Sequence, residues 1–198
     1  MARWVLMALL SLAACSSGRA PAERLLGEID AAVLAAGPDA VKYVPEQVQD
    51  VEAKLGTLEL AFEHHDYRAV LEGAPAVLAQ AQQLRSAAAA RKSAVSEDLA
   101  GQWSTLSVAV TADLTAIEQR LDFLGQPRNR KLAAGFDLDA ARSDLATATR
   151  LWSKAQGAFG NNNLEEAVPA AREVRSRLER LAASLGLELP APQPAAPS

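Results

Sequence analysis

Val44, Val48, Val51, Leu55, Leu58 and Phe62 follow one another at spacings of 4, 3, 4, 3 and 4. Tyr67, Val70, Ala74, Val77, Ala81, Leu84 and Ala88 then continue at 3, 4, 3, 4, 3 and 4. Apolar residues at these intervals fall on one face of an α-helix, and that face must be buried against another. The interruption between the two runs, His64-His65-Asp66, is short, so the helices fold back as an antiparallel hairpin with a near-heptad seam. The pattern returns 97 residues later. Ala141, Leu145, Ala148, Trp152, Ala155 and Phe159 repeat the first stripe. Asn161-Asn162-Asn163 replaces the turn, and Leu164, Ala167, Ala171, Val174, Leu178, Leu181 and Leu185 repeat the second. An internal duplication of a helical hairpin is expected, at about 44–90 and 138–187, with Phe62 and Phe159 buried at equivalent places.

Between the hairpins, Val95, Leu99, Trp103, Leu106, Val110, Leu114, Ile117, Leu121 and Leu124 hold a helical stripe. This predicts one long helix from about Tyr67 to Leu124, up to ~85 Å if straight at 1.5 Å per residue. The competing reading breaks it near Ala90 to Ser96, where serines followed by Glu97 could cap a new start. An earlier helix carries Leu25, Ile29 and Val33 on one face with Leu26 beside them, and stops at Gly37-Pro38. Alanine is abundant, β-branched residues are sparse and aromatics make up 5% of the chain, which fits an all-α fold with closely approaching helices. Pro75 and Pro169 are expected to kink the second helix of each hairpin or delay its regular start.

The N-terminus has a different character. One positive charge, Arg3, precedes an apolar run from Trp4 to Ala14, too short to span a bilayer. A basic start, an apolar core and small residues before a cut describe a secretory signal peptide over 1–14. The next residue, Cys15, is the one cysteine in the sequence, so it has no partner within the chain for a disulfide. Leu12-Ala13-Ala14-Cys15 looks like a bacterial lipobox. That resemblance implies diacylglycerol on the Cys15 thiol and, in many bacteria, a third chain on its amine. Two or more acyl chains anchor stably where one does not, so the expected partner is a membrane, reached through Cys15. In a bacterium with two membranes the resemblance further implies, from Ser16 in place of the Asp that tends to retain such proteins at the inner membrane, a place on the outer membrane facing the periplasm. Residues 15–21 are expected as a tether, 22–188 as the helical domain and 189–198, rich in Pro and Ala, as a disordered tail.

Removing Arg3 from the 20 basic side chains leaves 19 against 24 acidic, a net charge of −5 beyond the cut. That balance argues against nucleic acid, which needs a basic face, and against binding to anionic lipid by charge. The basic cluster Arg128, Arg130 and Lys131, in a loop expected from Gly125 to Gly135, is a candidate contact for an anionic envelope polymer, beside the commoner reading as a solvated loop.

Other polar groups have structural explanations. His64 and His65 are adjacent and point apart on a helix, so they make a poor metal pair, and Asp66 is expected to cap the next helix. The three asparagines suit a turn, since asparagine tolerates left-handed backbone. Asp137, Asp139 and Asp144 cluster where a helix dipole favours acids. Trp103 and Trp152 lie within apolar stripes as core residues. No phosphate loop, nucleophile elbow or Ser/His/Asp set is present, so neither an enzyme activity, a cofactor nor a small-molecule substrate is expected.

Tyr43-Val44-Pro45-Glu46, and then Asp66-Tyr67 leading to Val70, is similar to a group of bacterial envelope lipoproteins. Their domain of unknown function has a Tyr-x-Pro-Glu start and a Gly-Asp-Tyr-x-x-Ala turn, and the turn also resembles that of tetratricopeptide hairpins. Here His65 stands in place of the glycine and Val70 in place of the alanine, and the second copy lacks the Tyr-x-Pro-Glu start. The resemblance implies a helical-hairpin fold and no known activity. Function is then expected to be binding of an envelope protein or polymer by a lipid-anchored helical scaffold. The alternative is a passive spacer or envelope-stress lipoprotein. A large exposed apolar groove would favour the binder, and an evenly polar surface the spacer.

Overall fold

Each hairpin turn closes by the same chemistry. Helix α2 (Pro45–Glu63) ends with His65 in the left-handed region at φ 63°, and helix α5 (Leu138–Gly160) ends with Asn162 at φ 59°. His65 N–H donates to the Phe62 carbonyl (3.0 Å) and Asp66 N–H to that of Ala61 (2.9 Å). Asn162 N–H donates to Phe159 (2.8 Å) and Asn163 N–H to Ala158 (2.9 Å). These paired bonds satisfy carbonyls that a helix end leaves open. The last turn residue also starts the next helix. The Asp66 carboxylate accepts from Ala69 N–H (3.1 Å) at the head of α3 (Tyr67–Gly125), and Asn163 Oδ1 accepts from Glu166 N–H (3.2 Å) at the head of α6 (Leu164–Ser184). Every one of these atoms has its counterpart 97 positions on. Asp66→Ala and Asn163→Ala should therefore each cost about 1 kcal/mol, read from denaturant midpoints, as typical N-cap losses do.

The computed structural model describes residues 18–189, and these form an all-α fold of antiparallel helical hairpins with a long central helix. Before α2 lies α1 (Arg19–Tyr43), and between α3 and α5 a 3₁₀ turn (Pro127–Asn129) and the single-turn α4 (Arg130–Ala133). Helix α1 starts inside the segment expected as a tether. Pro21 does not prevent this, because the first N–H groups of a helix have no intrahelical partner anyway. Gly37 adopts φ 70°, which breaks the helix before Pro38, and a second helical stretch runs on to Tyr43. The buried face of α1 is Ala22, Leu26, Ile29, Ala36 and Ala40, with Leu25 and Val33 half-buried at its margins, so it is turned by about a residue from the expected one.

Helix α3 runs 59 residues without a break, through Pro75 and through the stretch where a new start had been an alternative. That stretch nevertheless marks a division. The chain forms two compact units, one up to Ala94 and one from Val95. In the first, α1 and α2 pack with the N-terminal part of α3, burying Ile29, Val51, Val70, Ala74 and Leu84 among others. Lys92 adds an ion pair to Asp39 (2.8 Å), whose carboxylate raises the lysine pKa. In the second unit, Trp103, Val110, Ile117, Leu121 and Leu124 of α3 pack with α5 and α6. The central helix is therefore no bare connector between two hairpins. Each hairpin needs a third helix to cover its open apolar side: α1 covers the hairpin of α2 and the start of α3, and the C-terminal half of α3 covers that of α5 and α6.

Two expected core positions are corrected. Phe159 is 44% exposed and Phe62 half-buried. Ala158 takes the inward place in α5, and the Phe159 ring lies flat on Trp103 with centroids 4.6 Å apart. The equivalence of the hairpins rests on the turns and the stripes rather than on these two rings.

Candidate functional site

Along one side of the second unit, α3 and α5 leave an open groove of about 860 Å³. Its floor is aromatic. Trp103, from α3, and Trp152, from α5, stack with centroids 5.3 Å apart and planes 19° from parallel, and Phe159 covers the outer face of Trp103. Offset stacking of this kind adds to the area the rings bury. Beyond the rings, α3 contributes small residues at helical spacing, Thr111, Ala112, Thr115 and Ala116, which are too short to fill the space between the helices. Val108 lies on the rim, 64% exposed. Gln119 and Gln156 supply amides, and none of the lining side chains carries a charge. In a chain that is 22% charged, an uncharged groove with an aromatic floor is a surface suited to apolar, hydrogen-bonding ligands.

Behind the groove residues, the same helix hides a charge. Asp113 is fully buried, the sole polar residue so placed among the described residues. Its Oδ2 lies 3.6 Å from Nε of Arg175 on α6, which also faces Glu179 at 3.4 Å. At 3.6 Å the contact is an ion pair and not a hydrogen bond, and neither Asp113 oxygen finds a donor. Burial pushes the Asp113 carboxyl above its ordinary pKa, against the pull of Arg175, and Glu179 pushes it the same way as burial. The apolar stripes alone do not mark Asp113. The signal was there in the line Leu99, Leu106, Asp113 and Arg120, which advances by seven beside the buried line Trp103, Val110, Ile117 and Leu124.

The residues marked in the sequence are placed as follows. Arg128 lies in the 3₁₀ turn, and Arg130 and Lys131 in α4, so the expected loop contains two short helical turns. Asn129 fastens its start by donating to the Phe123 carbonyl (2.6 Å). All three basic side chains are exposed, and none of them lines the groove. His65 Nδ1 meets the Tyr67 hydroxyl at 3.0 Å, as a turn contact. Asp137 caps α5 by accepting from Ala140 N–H (2.9 Å). No group of three or more His, Cys, Asp or Glu side chains converges as a metal site among the described residues. Among the same residues no helix is long and apolar enough to cross a membrane. Cys15, the acylation candidate, lies outside the described residues, as does all but Leu189 of the expected tail.

Comparison with protein-family models, with curated proteins and with solved structures finds no match to this chain.

Proposed function

We propose that this is a lipid-anchored protein of the bacterial envelope that binds other macromolecules through the aromatic groove of its second unit. The observation that supports binding is the groove itself, an exposed apolar surface of the kind that interaction sites present and that a passive spacer does not need. The support for the anchor is Leu12-Ala13-Ala14-Cys15 at the end of a signal-like N-terminus. The uncharged lining favours a partner segment that is itself uncharged and apolar, with backbone groups for the glutamine and threonine side chains. Arg128, Arg130 and Lys131 form a separate exposed patch that suits an anionic polymer. No reaction is assigned to the protein.

Two experiments test the two halves of this reading. Cys15→Ala should leave an uncleaved precursor or a misrouted soluble form, and mass spectrometry of the mature N-terminus should find acyl chains on Cys15 of the parent protein. An unmodified Cys15 there removes the anchor. For the groove, Val108→Glu places a charge on an exposed position, where the cost to stability should stay within about 0.5 kcal/mol. It should abolish partner capture from crosslinked membranes, and undiminished capture would count against the groove as the binding face.

A further inference from the structure

The residue expected to carry acyl chains is close, along the chain, to one defined end of the first unit. Helix α1 begins at Arg19 with Gly18 as its N-cap, and Gly18 is three residues after Cys15. Three residues span at most about 11 Å, whatever their conformation. Gly18 is itself placed by the fold. A Cβ on it would lie 3.2 Å from that of Tyr67 at the head of α3, and the Arg19 guanidinium lies 5.9 Å from the centre of the Phe62 ring near the end of α2. The start of α1 and the α2–α3 turn therefore share one end of the unit. Lys92 identifies the opposite end. It pairs with Asp39 at 2.8 Å and lies 5.9 Å over the Tyr43 ring, so the last turns of α1 meet α3 25 residues beyond Tyr67, about 38 Å along the helix at 1.5 Å per residue.

The end beside Gly18 has the chemistry of a headgroup contact. Leu60, in the last turn of α2, is 57% exposed. Phe62 and Tyr67, both half-buried, meet edge to face with centroids 5.2 Å apart, and the Tyr67 hydroxyl reaches the exposed His65. A ring with an apolar body and a polar tip suits the boundary between lipid and water. Formal charges balance at this end, Arg19 and Arg68 against Glu63 and Asp66. Such a surface has no need of anionic lipid and matches zwitterionic headgroups. The rival face is the outer side of α1, where Leu34 is 83% exposed. Asp30, exposed one turn before Leu34 on the same side of the helix, would have to leave water if that side entered lipid, and an unpaired carboxylate resists this strongly.

We propose that, with Cys15 acylated, the first unit stands on a phospholipid surface by the end that carries the α2–α3 turn. Leu60 and the Phe62–Tyr67 pair then lie at headgroup level, and α3 leads away from the bilayer from Tyr67 to Lys92. This rests on the anchored reading of Cys15 and adds to it a membrane-facing surface and an orientation.

The test uses the full chain, purified from membranes and reconstituted into phosphatidylcholine vesicles that contain a headgroup spin-labelled lipid. His64→Cys and Val41→Cys variants carry a thiol-reactive fluorophore, with Leu60→Cys as a second probe of the turn end in case His64→Cys disturbs the turn. Cys15 is the one cysteine of the sequence, so if it is acylated the parent takes no label and each variant takes one. The labels in His64→Cys and Leu60→Cys should lose fluorescence to the spin label severalfold more than the label in Val41→Cys, which marks the opposite end. Quenching in Val41→Cys as strong as in the other two would lay α1 along the lipid and overturn the proposal. Quenching in none of them, in chains that take one label, would hold the unit clear of the surface and equally overturn it. A label on the parent protein, or two on a variant, would instead remove the anchor, and the proposal with it.

Discussion

Arg175→Ala is expected to destabilise the second unit by about 3 kcal/mol at neutral pH, the lower end of what breaking a buried ion pair costs. The lower end applies because Arg175 keeps 14% of its own side-chain surface in water and shares itself with Glu179. The loss comes from Asp113. Without the guanidinium its carboxylate stays buried with no counter-charge and no hydrogen bond. The sign with pH follows from the direction of the shift. The folded-state pKa of Asp113 already lies above the ordinary value of 3.8. Between those two values the folded protein holds a proton that the unfolded chain has released, so this group's contribution to stability falls as pH rises through the window. In Arg175→Ala the folded value moves further up and the window extends with it. The variant should thus be closest to the parent in acid and furthest from it at neutrality, as denaturant midpoints at several pH values would record. Asp113→Asn in the Arg175→Ala background should recover most of the loss at neutral pH. An equal cost at all pH values would show that packing, and not the stranded carboxylate, is what Arg175 provides.

Trp152→Ala is the second large effect, at about 3–5 kcal/mol for a buried tryptophan removed from a site that cannot collapse. Collapse is hindered because Trp103 stacks on one face of the ring and Ala148 and Ala155, the neighbouring stripe residues of α5, have no reach to fill the space. Phe159→Ala serves as the control. It removes a smaller ring from the same groove, and one already 44% exposed, so its cost should be near 1 kcal/mol. Partner capture should fall in both, and the denaturation midpoint should fall steeply in the first alone. If the two variants are equally destabilised, the stack does not hold α3 against α5.

The hairpins were legible in the sequence because their causes are local. The 3-and-4 spacing decides which face is inward, and at Asp66 and Asn163 a single polar residue both closes one helix and opens the next. His65 sits at φ 63°, a left-handed conformation that glycine reaches at less cost than histidine. The three-helix units were harder to read. A stripe running through α3 gives no sign that its two parts face different cores, and the helix stays unbroken through 90–96 although the division between the two units falls there. Asp113 escaped notice because its neighbour Leu114 continued an apolar reading of the stripe. The groove escaped because it depends on what α3 lacks over Thr111 to Ala116 opposite α5, a relation between distant segments that no local pattern records.

Between the last buried residue of α3 in the first unit, Ala88, and the first in the second, Trp103, lie fourteen residues of helix without one fully buried side chain. Isolated helices of that length are marginal in water, so what keeps this one wound is that both of its ends are pinned. Melting either core frees one end, and the fraying that follows reaches the first turns of the other core. The two units are therefore coupled in their folding equilibria through a stretch of backbone that packs little, as neighbouring repeats are coupled in a one-dimensional lattice. In hydrogen exchange these fourteen residues should be the least protected part of α3, opening before either core does. A glycine there, at Ala90 for instance, would cost only about 1 kcal/mol locally. Its larger consequence would be to split one cooperative transition into two.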